Sequence, residues 1–265
     1  VKFIDIDPDT LNFNLEDLSN AISEKTKVIL AVNLLGNPND FDRINEIIEK
    51  KDIILLEDNC ESMGAKYKNK YTGSFGLMGT FSTFFSHHIS TMEGGVVITD
   101  NEELYHIMLS LRAHGWTRNL PQINQISNKV NNDFIESFRF LLPGYNLRPI
   151  EMSGAIGIEQ LKKLPKFIEQ RRKNAVLFTA LFEDDKRFTI QKEIEDSSWF
   201  GFSFIIKNNI SRDSIIQKLN KANIDVRPIV TGDFTKNKVM DYFDYSINSN
   251  LDNSKYLEIN GFFIG

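Results

Sequence analysis

Residues 27–58, KVILAVNLLGNPNDFDRINEIIEKKDIILLED, decide the fold class of this 265-residue chain. Lys27–Asn33 is dominated by a continuous apolar run, as expected of a buried parallel strand. From Asp40 to Lys50 the apolar residues recur with helical spacing. Residues 53–57 form a second apolar run that ends on Asp58. Strand, helix and strand in this order predict an α/β domain with a mostly parallel sheet.

The same alternation continues on both sides of this unit. We predict helices over 15–22 (with Asn14 as N-cap), 101–112, 149–182 and 211–222, and strands over 78–84, 95–99, 199–206 and 225–229. Pro165 is expected to interrupt the long helical pattern. We therefore expect a large domain over 1–150, and connecting helices with a smaller C-terminal α/β domain over 151–265.

Composition excludes several classes of protein. The formal charge of −5 is small and dispersed, which argues against a nucleic-acid or membrane partner. No signal peptide opens the chain, and no apolar run approaches the ~20 residues of a membrane span. The single Cys60 excludes an internal disulfide and favours a reducing, cytoplasmic location. The glycosylation sequon at Asn209 is interpreted as a chance match.

Several polar residues in the N-terminal half are candidates for chemistry. Asp58 ends a buried strand, where open α/β sheets bind ligands, although a turn or helix cap is the commoner role. Gly73–Gly79 is glycine-rich and gives weak support for a phosphate site; the alternative is a turn before a strand. His87 could be a packed histidine, a metal ligand or a general acid/base. No spaced Cys or His partners support a metal, and none is predicted.

The segment Gly79–Gly95, GTFSTFFSHHISTMEGG, carries the most specific pattern. Together with EDNCE at 57–61 and GSFG at 73–76, it resembles the sugar aminotransferases of the DegT/DnrJ/EryC1/StrS family. The resemblance implies an aspartate-aminotransferase-like fold and a pyridoxal 5'-phosphate or pyridoxamine 5'-phosphate cofactor. In that family a lysine after the Phe-Ser strand binds the cofactor covalently. Here His87, which cannot form that bond, takes the position of the lysine.

Histidine at this position resembles a subgroup of the family, the 3-dehydratases of dideoxysugar and O-antigen biosynthesis. One kind carries an iron–sulfur cluster, which Cys60 alone cannot build. The resemblance to the other kind implies a nucleotide-linked 4-keto-6-deoxyhexose as substrate, in the first place GDP-4-keto-6-deoxymannose, and L-glutamate as amino donor. His87 would be the acid/base group. The alternatives are an ordinary sugar aminotransferase and a non-catalytic nucleotide-sugar sensor.

The resemblance also assigns roles to individual residues. Asp58 would pair with the pyridine nitrogen, and Ser82 would contact the cofactor phosphate. Glu61, where Gln is usual, would contact the ring unless it is a solvated surface group. His88 would help to shape the cofactor site. Asn146 would reach the cofactor phosphate of the neighbouring subunit, which implies a homodimer with shared active sites.

Candidates for substrate binding are Ser86, His114, Arg118, Arg148 and Arg227. Arginine can grip a carboxylate or a phosphate with two hydrogen bonds, whereas a solvated loop charge is the alternative for each. The sequence begins abruptly on a predicted strand and stops on an apolar run without a polar tail. The resemblance therefore implies a fragment truncated at both ends, without an N-terminal region that supplies part of the phosphate site.

Overall fold

The computed structural model describes residues 1–208 and 210–265, so Asn209 of the sequon lies outside the described residues. The helices are α1 (Leu15–Ala21), α2 (Phe41–Ile48), α3 (Glu102–Leu111), α4 (Asp133–Glu136), α5 (Glu151–Phe182), α6 (Arg212–Lys221) and α7 (Asp252–Asn260). The strands are β1 (Lys2–Phe3), β2 (Val28–Val32), β3 (Ile54–Asp58), β4 (Lys66–Tyr67), β5 (Lys70–Tyr71), β6 (Met78–Ser82), β7 (Gly95–Ile98), β8 (Phe188–Ile190), β9 (Phe202–Ile206), β10 (Ser246–Ile247) and β11 (Gly261–Ile264).

The larger sheet has the strand order β2-β3-β6-β7. The first three strands are parallel, and β7 runs antiparallel to β6. In the register, Val32 pairs with Asp58, and Asp58 pairs with Thr80. The carboxyl ends of β2, β3 and β6 therefore lie at one edge of the sheet. The predicted, mostly parallel α/β sheet is confirmed.

The two faces of this sheet differ. One face packs on α1 and α2, in a core of Leu18, Ile29, Ala31, Phe41, Ile44, Leu55 and Tyr67. On the other face Val28, Leu30 and Val32 are exposed by 49%, 53% and 42%. Since alternate residues of a strand point to opposite faces, Asp58 and Ser82 lie on this second face.

The glycine-rich stretch Gly73–Gly79 forms a turn that leads into β6. Of the two interpretations given by the sequence, a phosphate site or a turn before a strand, the structure supports the turn. The backbone amides of Gly73, Phe75 and Gly76 donate to the buried Glu57 carboxylate at 2.6, 2.6 and 2.8 Å. These amides thus bind an anion that the chain itself provides. A Cβ at Gly79 would lie 2.5 Å from the Gly73 backbone, which explains glycine at that position.

The smaller sheet is antiparallel, in the order β11-β9-β8. It packs on α5 through Phe178, Phe204, Ile206 and Phe262. The Ser211 hydroxyl caps α6 by accepting from the Ser214 amide, as predicted.

Two predicted features of the C-terminal part are wrong. The strand predicted over 225–229 is reduced to a single bridge, in which Arg227 pairs with Phe263 at the outer edge of β11. The helix α5 continues through Pro165 instead of breaking there, since a proline removes one backbone hydrogen bond and this helix is 32 residues long. The domain boundary near residue 150 stays a prediction. Within the described ranges, no helix has the length and apolarity needed to cross a bilayer.

Candidate active site

Asp58 lies at the carboxyl end of β3 with its side chain partly buried. Its Oδ1 accepts a hydrogen bond from the Cys60 amide at 3.0 Å. Burial, followed by a hydrogen bond to Asp58, raises the pKa of the Cys60 thiol to about 12. The Cys60 thiol is therefore protonated and is not a reactive thiolate.

His87 follows the end of β6, where the chain turns sharply. The Thr83 amide donates to the Gly94 carbonyl at 3.0 Å, and the His87 amide donates to the Phe84 carbonyl at 3.0 Å. The imidazole is partly buried, and its Nδ1 has no hydrogen-bond partner among the described residues. Burial lowers the pKa of His87, against the opposing negative charge of Asp58. A neutral imidazole and a carboxylate are thus brought together.

Ser82 is the last residue of β6 and lies on the same face of the sheet as Asp58. Its Oγ accepts a hydrogen bond from the Phe84 amide at 3.2 Å. A hydroxyl that accepts one bond can still donate its own proton, so Ser82 can serve an anionic ligand. Ser86 is partly buried directly before His87.

Glu61 is partly buried and hydrogen-bonded, so it is not the solvated surface group that the sequence left open as an alternative. Its Oε2 accepts from the Leu35 amide at 2.8 Å. Burial raises the pKa of Glu61, as does the charge of Asp58, whereas the bond from Leu35 lowers it. Leu35 has a φ of 53° and Gly36 has a φ of 93°, so the carboxylate holds a left-handed turn in place.

His88 is buried beneath this site with 3% of its surface exposed. Its Nε2 lies 3.4 Å from the Ser198 carbonyl oxygen. Burial lowers the pKa of His88 to about 3, with a further contribution from the Arg171 charge. This neutral, enclosed ring supports the interpretation that His88 shapes the site.

A second group surrounds Trp116 and is called here the Trp116 cluster (His114, Trp116, Arg118 and Arg148). The His114 ring centre lies 4.8 Å from that of Trp116. The Arg118 and Arg148 guanidinium carbons lie 4.0 and 5.4 Å from the Trp116 ring centre. Both arginines are exposed, and so is Asn146, which forms a bridge to Ala113.

The structure therefore sorts the predicted site residues into groups. In the part of the chain that the structure describes, no hydrogen bond or ring contact joins the Trp116 cluster to His87. Arg227 joins neither group: its backbone pairs with Phe263 and its side chain is exposed. Sequence reasoning did not single out Trp116 or Phe200, whose ring centre lies 5.3 Å from that of His87. The signal that could have identified them is that each is an aromatic residue within a polar, glycine-containing segment.

Comparison with known proteins identifies the family of the chain. The family model for the DegT/DnrJ/EryC1/StrS aminotransferase family matches residues 1–257. GDP-4-keto-6-deoxy-D-mannose 3-dehydratases of Escherichia coli O55:H7 and Yersinia pseudotuberculosis are each 61% identical over 100% of this chain. The chain covers 69% and 68% of those two proteins.

The solved structures give the same result. The E. coli GDP-4-keto-6-deoxy-D-mannose 3-dehydratase with bound hydrated pyridoxal phosphate superposes with a TM-score of 0.98 at 60% identity. The match covers 100% of this chain and 69% of the other. A further structure of such a dehydratase, with a trapped adduct of pyridoxal phosphate and glutamate, has the same TM-score, with 100% and 70% covered. The predicted aminotransferase-like fold is confirmed, and the chain belongs to the DegT/DnrJ/EryC1/StrS aminotransferase family.

Proposed function

We propose that this chain is a pyridoxal-phosphate-dependent 3-dehydratase of a nucleotide-linked 4-keto-6-deoxyhexose, with GDP-4-keto-6-deoxymannose as substrate and glutamate as amino donor. The observation that carries the proposal is that His87, which takes the lysine position in the family resemblance, follows β6, the parallel neighbour of the strand that ends on Asp58. The names of the relatives that are 61% identical support the same reaction.

The residues of the site fit the cofactor. Asp58 would offer a carboxylate to the ring nitrogen, and Ser82 would offer a hydroxyl to the phosphate. The buried Nδ1 of His87 has no partner among the described residues. When bound, the cofactor supplies an electron sink for the carbon atoms next to the substrate amine. Glu61, whose carboxyl group is influenced by the charge of Asp58, would contact the ring.

His87 would take up and return the proton in both halves of the reaction. Its lowered pKa keeps the imidazole neutral at neutral pH, which is the form that accepts a proton. Asp58 would stabilise the imidazolium that results, because its negative charge opposes the lowering of the pKa. No lysine amine at this position would compete for the cofactor. After the 3-hydroxyl has left as water, hydrolysis would therefore release the nitrogen that glutamate supplied as ammonia and restore the ketone.

The Trp116 cluster would bind the charged parts of the substrates. Arg118 and Arg148 are exposed cations and suit the glutamate carboxylate or the nucleotide diphosphate. Ser86 and Arg227 complete the proposed substrate contacts. Because Asn146 and this cluster are separate from His87 in one chain, we propose a homodimer in which Asn146 serves the neighbouring subunit. The proposed location is the cytoplasm.

Product analysis tests the proposed function. The protein is incubated with pyridoxal phosphate, glutamate and GDP-4-keto-6-deoxymannose, and the sugar nucleotide is identified by mass spectrometry and NMR. A 3-deoxy-4-keto sugar without nitrogen is the expected product. A product that retains an amine would instead identify an aminotransferase, and binding without turnover would identify a sensor.

A second measurement tests the missing covalent link. Borohydride treatment of the cofactor-loaded protein should leave the mass of the polypeptide unchanged, because His87 cannot hold the cofactor covalently. A pyridoxyl group found on a lysine of the site would contradict the assignment of His87.

A further inference from the structure

Residues 197–201, called here the 197–201 strap, bring the C-terminal part of the chain to His87. Ser197, Ser198, Trp199 and Phe200 are all buried, although the segment belongs to no helix or strand. Irregular backbone in a buried place needs partners for its amides and carbonyls. The strap finds those partners on several elements, so its position is set from more than one side.

The amides of the strap bind the turn at residues 34–36. The Ser198 amide donates to the Gly36 carbonyl at 3.0 Å, and the Phe200 amide donates to the Leu35 carbonyl at 2.9 Å. A Cβ at Gly36 would lie 2.6 Å from the Trp199 nitrogen, so only glycine permits this approach. Glu61 holds the same turn through the Leu35 amide, which links the strap to the Asp58 region.

The carbonyls of the strap bind the long helix and the histidine pair. Arg171 of α5 donates from Nη1 to the Trp199 and Phe200 carbonyls at 2.9 and 2.8 Å. His88 Nε2 lies 3.4 Å from the Ser198 carbonyl oxygen. These contacts fix the backbone on either side of the Phe200 side chain.

The Phe200 ring lies between the hydrophobic core and the two histidines. Its centre is 5.3 Å from the His87 ring and 5.6 Å from the His88 ring. On its other side it joins a core of Leu11, Leu35, Ile205, Ile229, Leu257 and Phe263. Because the ring is anchored on both sides, it cannot move away from His87 without disturbing the strap or the core.

We propose that Phe200 is a positioning residue for His87: its anchored ring is a wall that fixes the orientation of the imidazole and keeps water from one side of it. The inference rests on the proposed function, in which His87 moves protons. Burial is the largest cause of the lowered pKa of His87, which agrees with such a wall. The charged and titratable groups around His87 are Asp58 from β3, His88 beside it and Arg171 behind Phe200.

The test compares Phe200→Leu with Phe204→Leu. Phe204 is also buried and aromatic, but its ring partners in the described structure are Phe178, Phe182, Phe188 and Phe262. Histidine resonances of the cofactor-loaded, ¹⁵N-labelled protein are followed by NMR from pH 4 to 8, with His87→Asn to assign His87. We expect the pKa of His87 to rise towards ~6.5 in Phe200→Leu, because leucine shields the ring less.

Kinetics give the second readout. Phe200→Leu should lower kcat by about tenfold with KM changed by less than about twofold, and it should move the acidic limb of the kcat profile to higher pH. Phe204→Leu should leave kcat and the acidic limb unchanged. If both variants show the wild-type His87 titration and the same kcat, the inference is overturned.

Two further variants keep the outcomes distinct. If Phe200→Leu does not fold, Phe200→Met preserves the volume without the flat ring and is measured in the same way. If His87→Asn turns over normally, the proposed role of His87 as the acid/base group fails. The NMR titration still measures whether Phe200 controls His87, so failure of the two ideas can be told apart.

Discussion

The His87 site and the Trp116 cluster both combine aromatic and ionisable side chains, but they differ in the hydrogen bonds that hold the neighbouring side chains in place. Around His87, Glu61 and the 197–201 strap form a continuous set of such bonds. In the Trp116 cluster, Arg118 and Arg148 lie exposed against an indole ring. Cation–π contacts at exposed positions contribute only ~0.5–1 kcal/mol each.

The difference between the two regions indicates which side chains need a fixed position. A group that transfers protons must be placed before the substrate arrives, because misplacement by a fraction of an ångström lowers the rate. A group that binds a flexible, charged substrate can adjust to it. The first region should therefore respond to mutation in kcat, and the second in KM.

The largest expected effect is that of His87→Asn. Asparagine keeps a hydrogen-bonding side chain but cannot titrate, so kcat should fall by ~10²–10⁴-fold. Affinity for the cofactor, measured by fluorescence titration, should change far less because Asp58 and Ser82 remain. His106→Asn is the matched control, since Asn can still accept the bond that His106 Nδ1 takes from the Gln125 amide.

Near-normal turnover of His87→Asn with intact cofactor binding would remove the contrast between the two regions. It would exclude His87 as the base and leave His88 or a water molecule as the candidate.

An intermediate effect is expected for Arg118→Ala. Loss of a charged hydrogen bond to the substrate should raise KM by about tenfold, with kcat changed by less than about threefold. Steady-state kinetics with GDP-4-keto-6-deoxymannose and with glutamate show which substrate is affected. The control is Arg43→Ala, because Arg43 is exposed and paired with Glu46 on α2. A fall in kcat at constant KM would assign Arg118 to the chemistry instead.

The smallest expected effect concerns His88 and stability. The pKa of His88 is about 3 in the folded state and ~6.5 when unfolded, so the unfolded chain binds the extra proton between these values. The free energy of unfolding should therefore decrease as the pH falls through this window, by about 1 kcal/mol between pH 6 and pH 5. In His88→Gln this contribution should be absent, since glutamine does not titrate and its amide can still donate to the Ser198 carbonyl.

Urea unfolding of both proteins at a series of pH values checks this effect. Parallel pH dependences for wild type and His88→Gln would show that His88 is not held neutral, and the His87 site would then be less enclosed than we describe.

Local sequence signals predicted much of the fold. Asn14, Asp40, Asn101 and Ser211 accept hydrogen bonds from the first turns of their helices, and the apolar runs identified β2 and β3. β8, β11 and the pairing of β1 with β10 were not predicted. Such short strands form because distant partners are available, and periodicity does not record those partners.

In the site, too, the contacts that depend on distant parts of the chain were the ones that the sequence did not predict. The family resemblance placed Asp58 and His87 in one site, and in the structure the strands that precede them, β3 and β6, are parallel neighbours. Phe200 could not, because it reaches His87 through a segment whose backbone is fixed by Leu35, Gly36 and Arg171. Pro165 misled the prediction of α5 for a different reason: propensity describes an isolated helix, whereas packing on the smaller sheet stabilises this one.

Glu57 and Asp58 are adjacent carboxylates with opposite tasks, because neighbouring residues of a strand face opposite sides of the sheet. Glu57 fastens the turn at Gly73–Gly76 to β3, and the Asn59 amide donates to the Thr80 carbonyl at 2.8 Å. The segment 60–72 is thus held at both of its ends by these hydrogen bonds. A longer turn at the exposed residues Lys68 and Asn69, between β4 and β5, would therefore leave the spacing of Asp58 and Ser82 unchanged.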